Sequence, residues 1–189
     1  MGRGARISCP TVKNGTHNIG PDNGSLQVKT YRGGMAQKAG HDLVIDVTSW
    51  NATITVEGDS QCTVELNADP RSLEVREGTG GAKPLSDKDK ADIRKNIDQK
   101  VLKGEAITFR CADVSLNGAG TAPVSGEVAM AGTTRPVSFE VEVGSDGQLK
   151  GIVPLTQSEW GIKPFTAMMG ALKVKDDVEV VLEARLPAE

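Results

Sequence analysis

Aromatic rings and an excess of either charge are what this chain has least of. Aromatics make up 3% of its 189 residues: three Phe, two Trp and one Tyr. An interior of ordinary size must therefore be built mainly from aliphatic side chains. The net charge is −3, with lysines and arginines scattered among acids. That balance predicts a solvated surface with no basic field for nucleic acid or an anionic membrane. Three cysteines, Cys9, Cys62 and Cys111, are an odd number without CxxC spacing, so neither a zinc site nor a disulfide framework is expected. They read as small buried or half-buried thiols. No apolar run approaches the ~18 residues of a transmembrane helix. The first residues, MGRGARISCPTVKNG, lack the apolar core of a secretory signal. The expectation is a soluble cytoplasmic protein, or a secreted or periplasmic one if a longer precursor exists.

What the chain does have is alternation. Residues 1–24, rich in Gly, Pro, Asn and Asp, read as an extended lead-in, and residues 25–187 as one domain. From SLQVKTY onward, apolar residues recur at every second position: Leu26 and Val28; Leu43, Ile45 and Val47; Ile54 and Val56; Cys62, Val64 and Leu66; Leu73 and Val75. The pattern resumes with Ile107, Phe109 and Cys111, then Val124, Val128 and Met130. It continues through Val137, Phe139, Val141 and Val143 and ends with Val178 to Leu186; the intervening QLKGIVPL, with Leu149 and Ile152 three apart, is also read as a strand. Period two marks strands with one dry and one wet face. Turn-formers separate nearly all of them, so consecutive antiparallel pairing is the simplest topology.

One segment differs. In PLSDKDKADIRKNIDQKVLKG, residues Ile93, Ile97 and Val101 fall at i, i+4 and i+8, the stripe of a helix with one buried face. Ser86 suits the N-cap and Asp89 stands three residues on. Gly104 suits the left-handed C-terminal position. The spacing predicts a helix over about 86–103, beside an antiparallel sheet. Eight to ten strands must protect their edges as a sandwich or a barrel. The single helix, and the apolar, broken segment EWGIKPFTAMMGALKV at 159–174, favour a barrel with those two pieces against its ends.

Several motifs now resemble a known family. GTTRPVSFEVEV is similar to a hairpin of many YceI-like proteins, a G-x-T-[RK]-P-V turn followed by an alternating strand. WGIKPFTAMMGALKVKDDVEVVLE resembles their ending, and KAGHDLVIDVTSW their first hairpin in an actinobacterial-type branch. The resemblance spans roughly residues 25–186; Trp160 stands where the family more often has Phe. It implies a mainly β, lipocalin-like, eight-stranded antiparallel barrel with one inserted helix. It also implies a bacterial protein that binds a polyisoprenoid or other lipid inside the barrel, with no catalytic residues and no cofactor, and that is open to homodimerisation.

The residues fit that expectation. An eight-stranded interior is either filled by side chains or holds one ligand. An aliphatic lining with Phe109 and Phe139 as its large rings suits a branched hydrocarbon. At about 0.3 kcal/mol per heavy atom, a tail of about 40 carbons gains on the order of 12 kcal/mol, near nanomolar, whereas a tail of about five carbons barely binds. The candidate ligand contacts are Phe109, Phe139, Val128 and Val141 on strands, and Trp160, Ile162, Phe165, Met168, Met169 and Leu172 near one mouth. The last segment reads either as a lid over the ligand or as a plug sealing the core. His41 beside Asp42 suggests a base, yet strand neighbours point to opposite faces. His41 therefore reads as a structural residue or a head-group contact. No GxSxG, HExxH or phosphate-loop context is present, and Glu159, Asp176 and Asp177 lack metal spacing. Two alternatives stand: an enzyme or stress-related factor using His41 on a small amphiphile, and a filled barrel acting as a protein-interaction module.

Overall fold

The computed structural model describes residues 14–57, 61–115, 120–144 and 146–186. Fourteen strands are seen there. The first seven are β1 (Gly15–Ile19), β2 (Gly24–Thr30), β3 (Arg32–Gly33), β4 (His41–Val47), β5 (Trp50–Glu57), β6 (Gln61–Ala68) and β7 (Leu73–Gly80). Helix α1 (Asp87–Asn96) follows, then β8 (Ile107–Ser115), β9 (Thr121–Met130), β10 (Thr133–Val143) and β11 (Gln148–Thr156). The last three are β12 (Thr166–Ala167), β13 (Leu172–Val174) and β14 (Asp177–Arg185).

Eleven of these form one curled antiparallel sheet in the order β1-β5-β6-β8-β9-β10-β11-β14-β2-β4-β7. The architecture is mainly β with one short helix, consistent with a lipocalin-like barrel, but the sheet has eleven strands rather than eight. One of them lies in the stretch read as lead-in: GTHNI shows no apolar alternation, yet its backbone pairs with β5 from Gly15↔Val56 to Ile19↔Ala52. Only Ile19 of that strand is buried, so it is held by main-chain bonds rather than by an apolar face.

Register shifts bend the sheet at Val44/Ile45, Cys62/Val64 and Arg110/Val114, since an extra residue on one strand sharpens the local twist. Near the last of these, Gly126 meets the Phe109 ring: a Cβ there would sit 2.6 Å from it and 2.4 Å from the Arg110 carbonyl oxygen. Only glycine lets the two strands close around that ring. Between β9 and β10, Ala131 and Gly132 have φ of 49° and 78°. They form the two-residue hairpin loop whose twist matches that of the strands.

Helix α1 begins as the sequence predicts. The Ser86 hydroxyl accepts from the Asp89 amide (3.2 Å), and the Ser86 amide donates to the Asp89 carboxylate (2.9 Å). The far end differs: residues 97–101 form a wider π turn, after which Lys103 and Gly104 take positive φ. The wider turn lets buried Leu102 join half-buried Ile93, Ile97 and Val101 against the core.

A smaller sheet, β12-β13-β3, lies beyond the strand ends, with Lys173↔Gly33 and Thr166↔Lys173 in register. Strands of two or three residues carry no readable alternation, which is why segment 159–174 reads only as a broken apolar stretch. Cys62 and Cys111 are buried, as expected, and the Cys111 thiol donates to the Ser125 carbonyl at 2.9 Å. Cys9 lies outside the described residues.

Candidate ligand cavity

The inward faces of the large sheet do not meet. They enclose a cavity of about 490 Å³, within the range of small-molecule sites. Its wall draws on nearly every strand: Val28 from β2, Ile45 from β4, Leu66 from β6, Val128 from β9, Val141 from β10 and Val180 from β14. Ile93 and Ile97 of the helical segment complete it. Val28 and Val180 are register partners that pack against both of the larger core clusters, placing them between the two. Both stay only half-buried although they point inward, because the surface they keep faces the hollow. Phe109 and Phe139 pack on each other at 5.7 Å between ring centres, tilted by 56°. They form part of the wall and leave the middle open.

The charged side chains on this wall gather toward one mouth, while Asn96 of the helix and Thr108 of β8 also line the cavity. The small sheet, residues 37–41 and the turn after β11 surround that mouth, contributing Arg32, His41, Gln157 and Lys173. The turn is firmly held. The Ser158 amide and hydroxyl donate to Asp176 at 2.8 and 2.6 Å, and the buried Gln157 amide donates to the Lys175 carbonyl at 2.9 Å. Arg32 donates from its guanidinium to the Gly40 carbonyl (3.0 Å), its backbone amide donates to Asp42 (2.8 Å), and its Nε lies 3.8 Å from that carboxylate. His41 Nε2 lies 2.8 Å from the Lys83 carbonyl oxygen. A carbonyl only accepts, so Nε2 carries the proton. Gly81, at φ +74°, packs so close to this ring that a Cβ would lie 2.3 Å from Nε2. Asp42 thus engages Arg32 while His41 engages the segment after β7, and the adjacent pair does not converge on one point. Behind the mouth, the Tyr31 hydroxyl donates to Glu179 at 2.7 Å, and this bond to a carboxylate holds the phenol above its usual range.

Eight of the eleven candidate contacts fall on the cavity wall: Phe109, Phe139, Val128, Val141, Ile162, Phe165, Leu172 and His41. The other three stand elsewhere. Trp160 is 1% exposed, and its indole N–H donates to the Val128 carbonyl at 3.0 Å. It packs among Met130, Leu155 and Val178, so its ring seals the wall instead of lining it. Met168 and Met169 are 61% and 100% exposed. Their φ values of 51° and 56°, each costing roughly 1–2 kcal/mol for a residue with a Cβ, turn the chain outward before Gly170. Sequence reasoning missed Arg32 and Lys173. Arg32 lies in a Gly-rich turn and Lys173 beside Leu172, and neither carries a motif. Among the described residues no group of three or more His, Cys, Asp and Glu is placed to hold a metal, and no helix is long and apolar enough to cross a membrane.

The profile of the YceI-like domain matches residues 18–186, a family generally associated with polyisoprenoid binding. Solved structures repeat the architecture at low identity. BcnA of Burkholderia cenocepacia is 15% identical with a TM-score of 0.62, over 88% of this chain and 96% of that one. The YceI protein of Campylobacter jejuni is 14% identical with a TM-score of 0.51, over 75% and 82%. A mutant of the latter type, solved with a monobromobimane guest, is 13% identical with a TM-score of 0.52 over the same shares. No curated protein matches the sequence.

Proposed function

The chain belongs to the YceI-like family, and on that footing we propose that it is a non-enzymatic carrier or store for a long-chain isoprenoid or similar amphiphilic lipid. The observation that carries this reading is the cavity itself: about 490 Å³, walled by aliphatic residues and two phenylalanines, with its charged groups gathered at one mouth. Such a wall offers hydrocarbon a favourable transfer of roughly 0.8 kcal/mol per methylene. Among the described residues its only uncharged polar side chains away from the mouth are Asn96 and Thr108, too few to read the hydroxyls of a sugar or the edges of a base. The tail lies along Val28, Val128, Val141 and Val180, between Phe109 and Phe139 on one side and the helix on the other. Ile162, Phe165 and Leu172 flank its exit. The head group rests beside Arg32, His41 and Lys173. His41 is read as a head-group contact, its ring held in place by the Lys83 carbonyl.

Calorimetric titration with prenyl alcohols of increasing length tests this. Affinity rises with each added isoprene unit until the hollow is full, then levels off. Equal affinity for short and long chains contradicts the proposal.

A further inference from the structure

The rim of the cavity carries a feature that holding a lipid does not by itself require. Among the described residues five large apolar side chains stand exposed, and four of them, Met35, Phe165, Met168 and Met169, belong to this mouth; only Ile152 lies elsewhere. They come from two stretches, 32–41 and 161–175, joined by the β13–β3 pairing and by bonds from the Ala36 amide to Ala171 (2.9 Å) and from the Lys175 amide to Tyr31 (2.7 Å). Those stretches contain Arg32, Lys38, Lys163, Lys173 and Lys175 and no aspartate or glutamate, in a chain whose net charge is −3. The four lysines are exposed. The neighbouring acids lie outside these stretches: Asp42 pairs with Arg32, Asp176 and Asp177 accept from Ser158 and Thr156, and Glu159 precedes Gly161 by two residues, so the positive charge of the rim rests on its four lysines. Whole-chain charge, which predicts no basic field, hides a local cationic ring around exposed methionines.

We propose that this rim docks on an anionic lipid bilayer. Met35, Met168 and Met169 enter the acyl boundary, and the lysines meet the lipid phosphates. Methionine suits the task because its unbranched, pliable chain fits an irregular apolar surface. Interfacial attachment grows with buried apolar area and with attraction between basic side chains and anionic lipids. The consecutive left-handed residues Met168, Met169 and Gly170 hold two such side chains outward on a short turn. A second copy of the chain is the weaker occupant. A two-fold contact through this rim would set two rings of lysine against each other. The inference deepens the carrier reading, since a mouth laid on the bilayer lets a hydrocarbon tail pass without crossing water.

The test is flotation of the lipid-free protein with two kinds of vesicle: equal parts phosphatidylcholine and phosphatidylglycerol, and phosphatidylcholine alone. Binding is expected to the mixed vesicles, to weaken with added salt, and to be far weaker on the neutral ones. Neutralising any one of Lys163, Lys173 or Lys175 as glutamine reduces partitioning roughly fivefold. Met168→Ser with Met169→Ser reduces it by about tenfold or more, while Ile152→Ser leaves it unchanged; melting curves confirm that each variant is folded. Equal binding to both vesicles, binding to neither, or indifference to the paired Met substitutions overturns the proposal. So does a concentration-dependent dimer that those substitutions dissociate, which makes a second copy the occupant. Because no prenyl ligand is used, failure here leaves the chain-length titration intact, and the reverse also holds.

Discussion

Filling the cavity from within separates a hollow barrel from a packed one, because the two give opposite signs. Val28 and Val180 face each other across β2 and β14, line the cavity and stay half-buried. Replacing either by Phe adds about four carbons. In a close-packed core, overpacking of this size costs about 1–3 kcal/mol. In the hollow the added carbons leave water for an apolar wall and contribute up to about 3 kcal/mol at roughly 0.8 kcal/mol each. For a domain of this size 1 kcal/mol moves Tm by about 2–4 °C. Val180→Phe is therefore expected to raise Tm by a few degrees by calorimetry or circular dichroism. Val28→Phe with Val180→Phe takes the place of about eight ligand carbons. At about 0.3 kcal/mol per atom that weakens a long prenyl chain by roughly fiftyfold. A fall in Tm together with an unchanged Kd refutes the reasoning, since it means that these valines are already packed and that the ligand lies elsewhere.

Three further outcomes follow from the local geometry. Tyr31 is the sole tyrosine, so ultraviolet absorbance reads its titration directly. The bond to Glu179 raises its midpoint above the usual 10.0, and the neutral phenol's contribution to stability is lost as pH rises through the folded value; Glu179→Gln brings the midpoint back toward 10.0. Asp89 is held below the usual carboxylate range by the Ser86 hydroxyl and amide. Its contribution is present above the ordinary aspartate value and is lost as pH falls through the lowered one. Ser86→Ala raises the Asp89 carbon-13 midpoint and, through the lost N-cap, costs about 1 kcal/mol in denaturant melts. Trp160→Phe leaves the Val128 carbonyl without its indole donor and costs about 1–3 kcal/mol. Prenyl affinity changes by less than about twofold, because the ring lies behind the wall.

How far the sequence leads depends on what each feature leaves in the residue pattern. The inward set Leu43, Ile45 and Val47, the Ser86 cap and the helical stripe Ile93, Ile97 and Val101 were legible because each obeys a fixed period or a local hydrogen-bonding rule. Strand β1 was not, since GTHNI pairs through its backbone and its side chains carry no alternation. Phe109, Phe139, Val128 and Val141 reach the cavity because the apolar face of an alternating strand has only one side to point to, whereas Ile162, Phe165 and Leu172 reach it from the broken apolar segment and His41 from the start of β4. Trp160 stands apart because an indole needs a partner for its N–H, and the Val128 carbonyl supplies one within the wall. Met168 and Met169 stand apart because positive φ turns them outward, and backbone angles do not appear in residue identity. The cavity volume is the least legible of all: alternation tells which way Val28 and Val180 face but not how far the opposite wall lies.

The most direct measurement is of contacts between ligand and wall. With methyl-labelled protein and an unlabelled prenyl chain, intermolecular nuclear Overhauser effects should join the chain's branch methyls to Val28, Leu66, Val128, Val141 and Val180. Effects confined to outward residues such as Ile152, or none to the interior methyls while the ligand is bound, would contradict a hydrocarbon held inside the barrel.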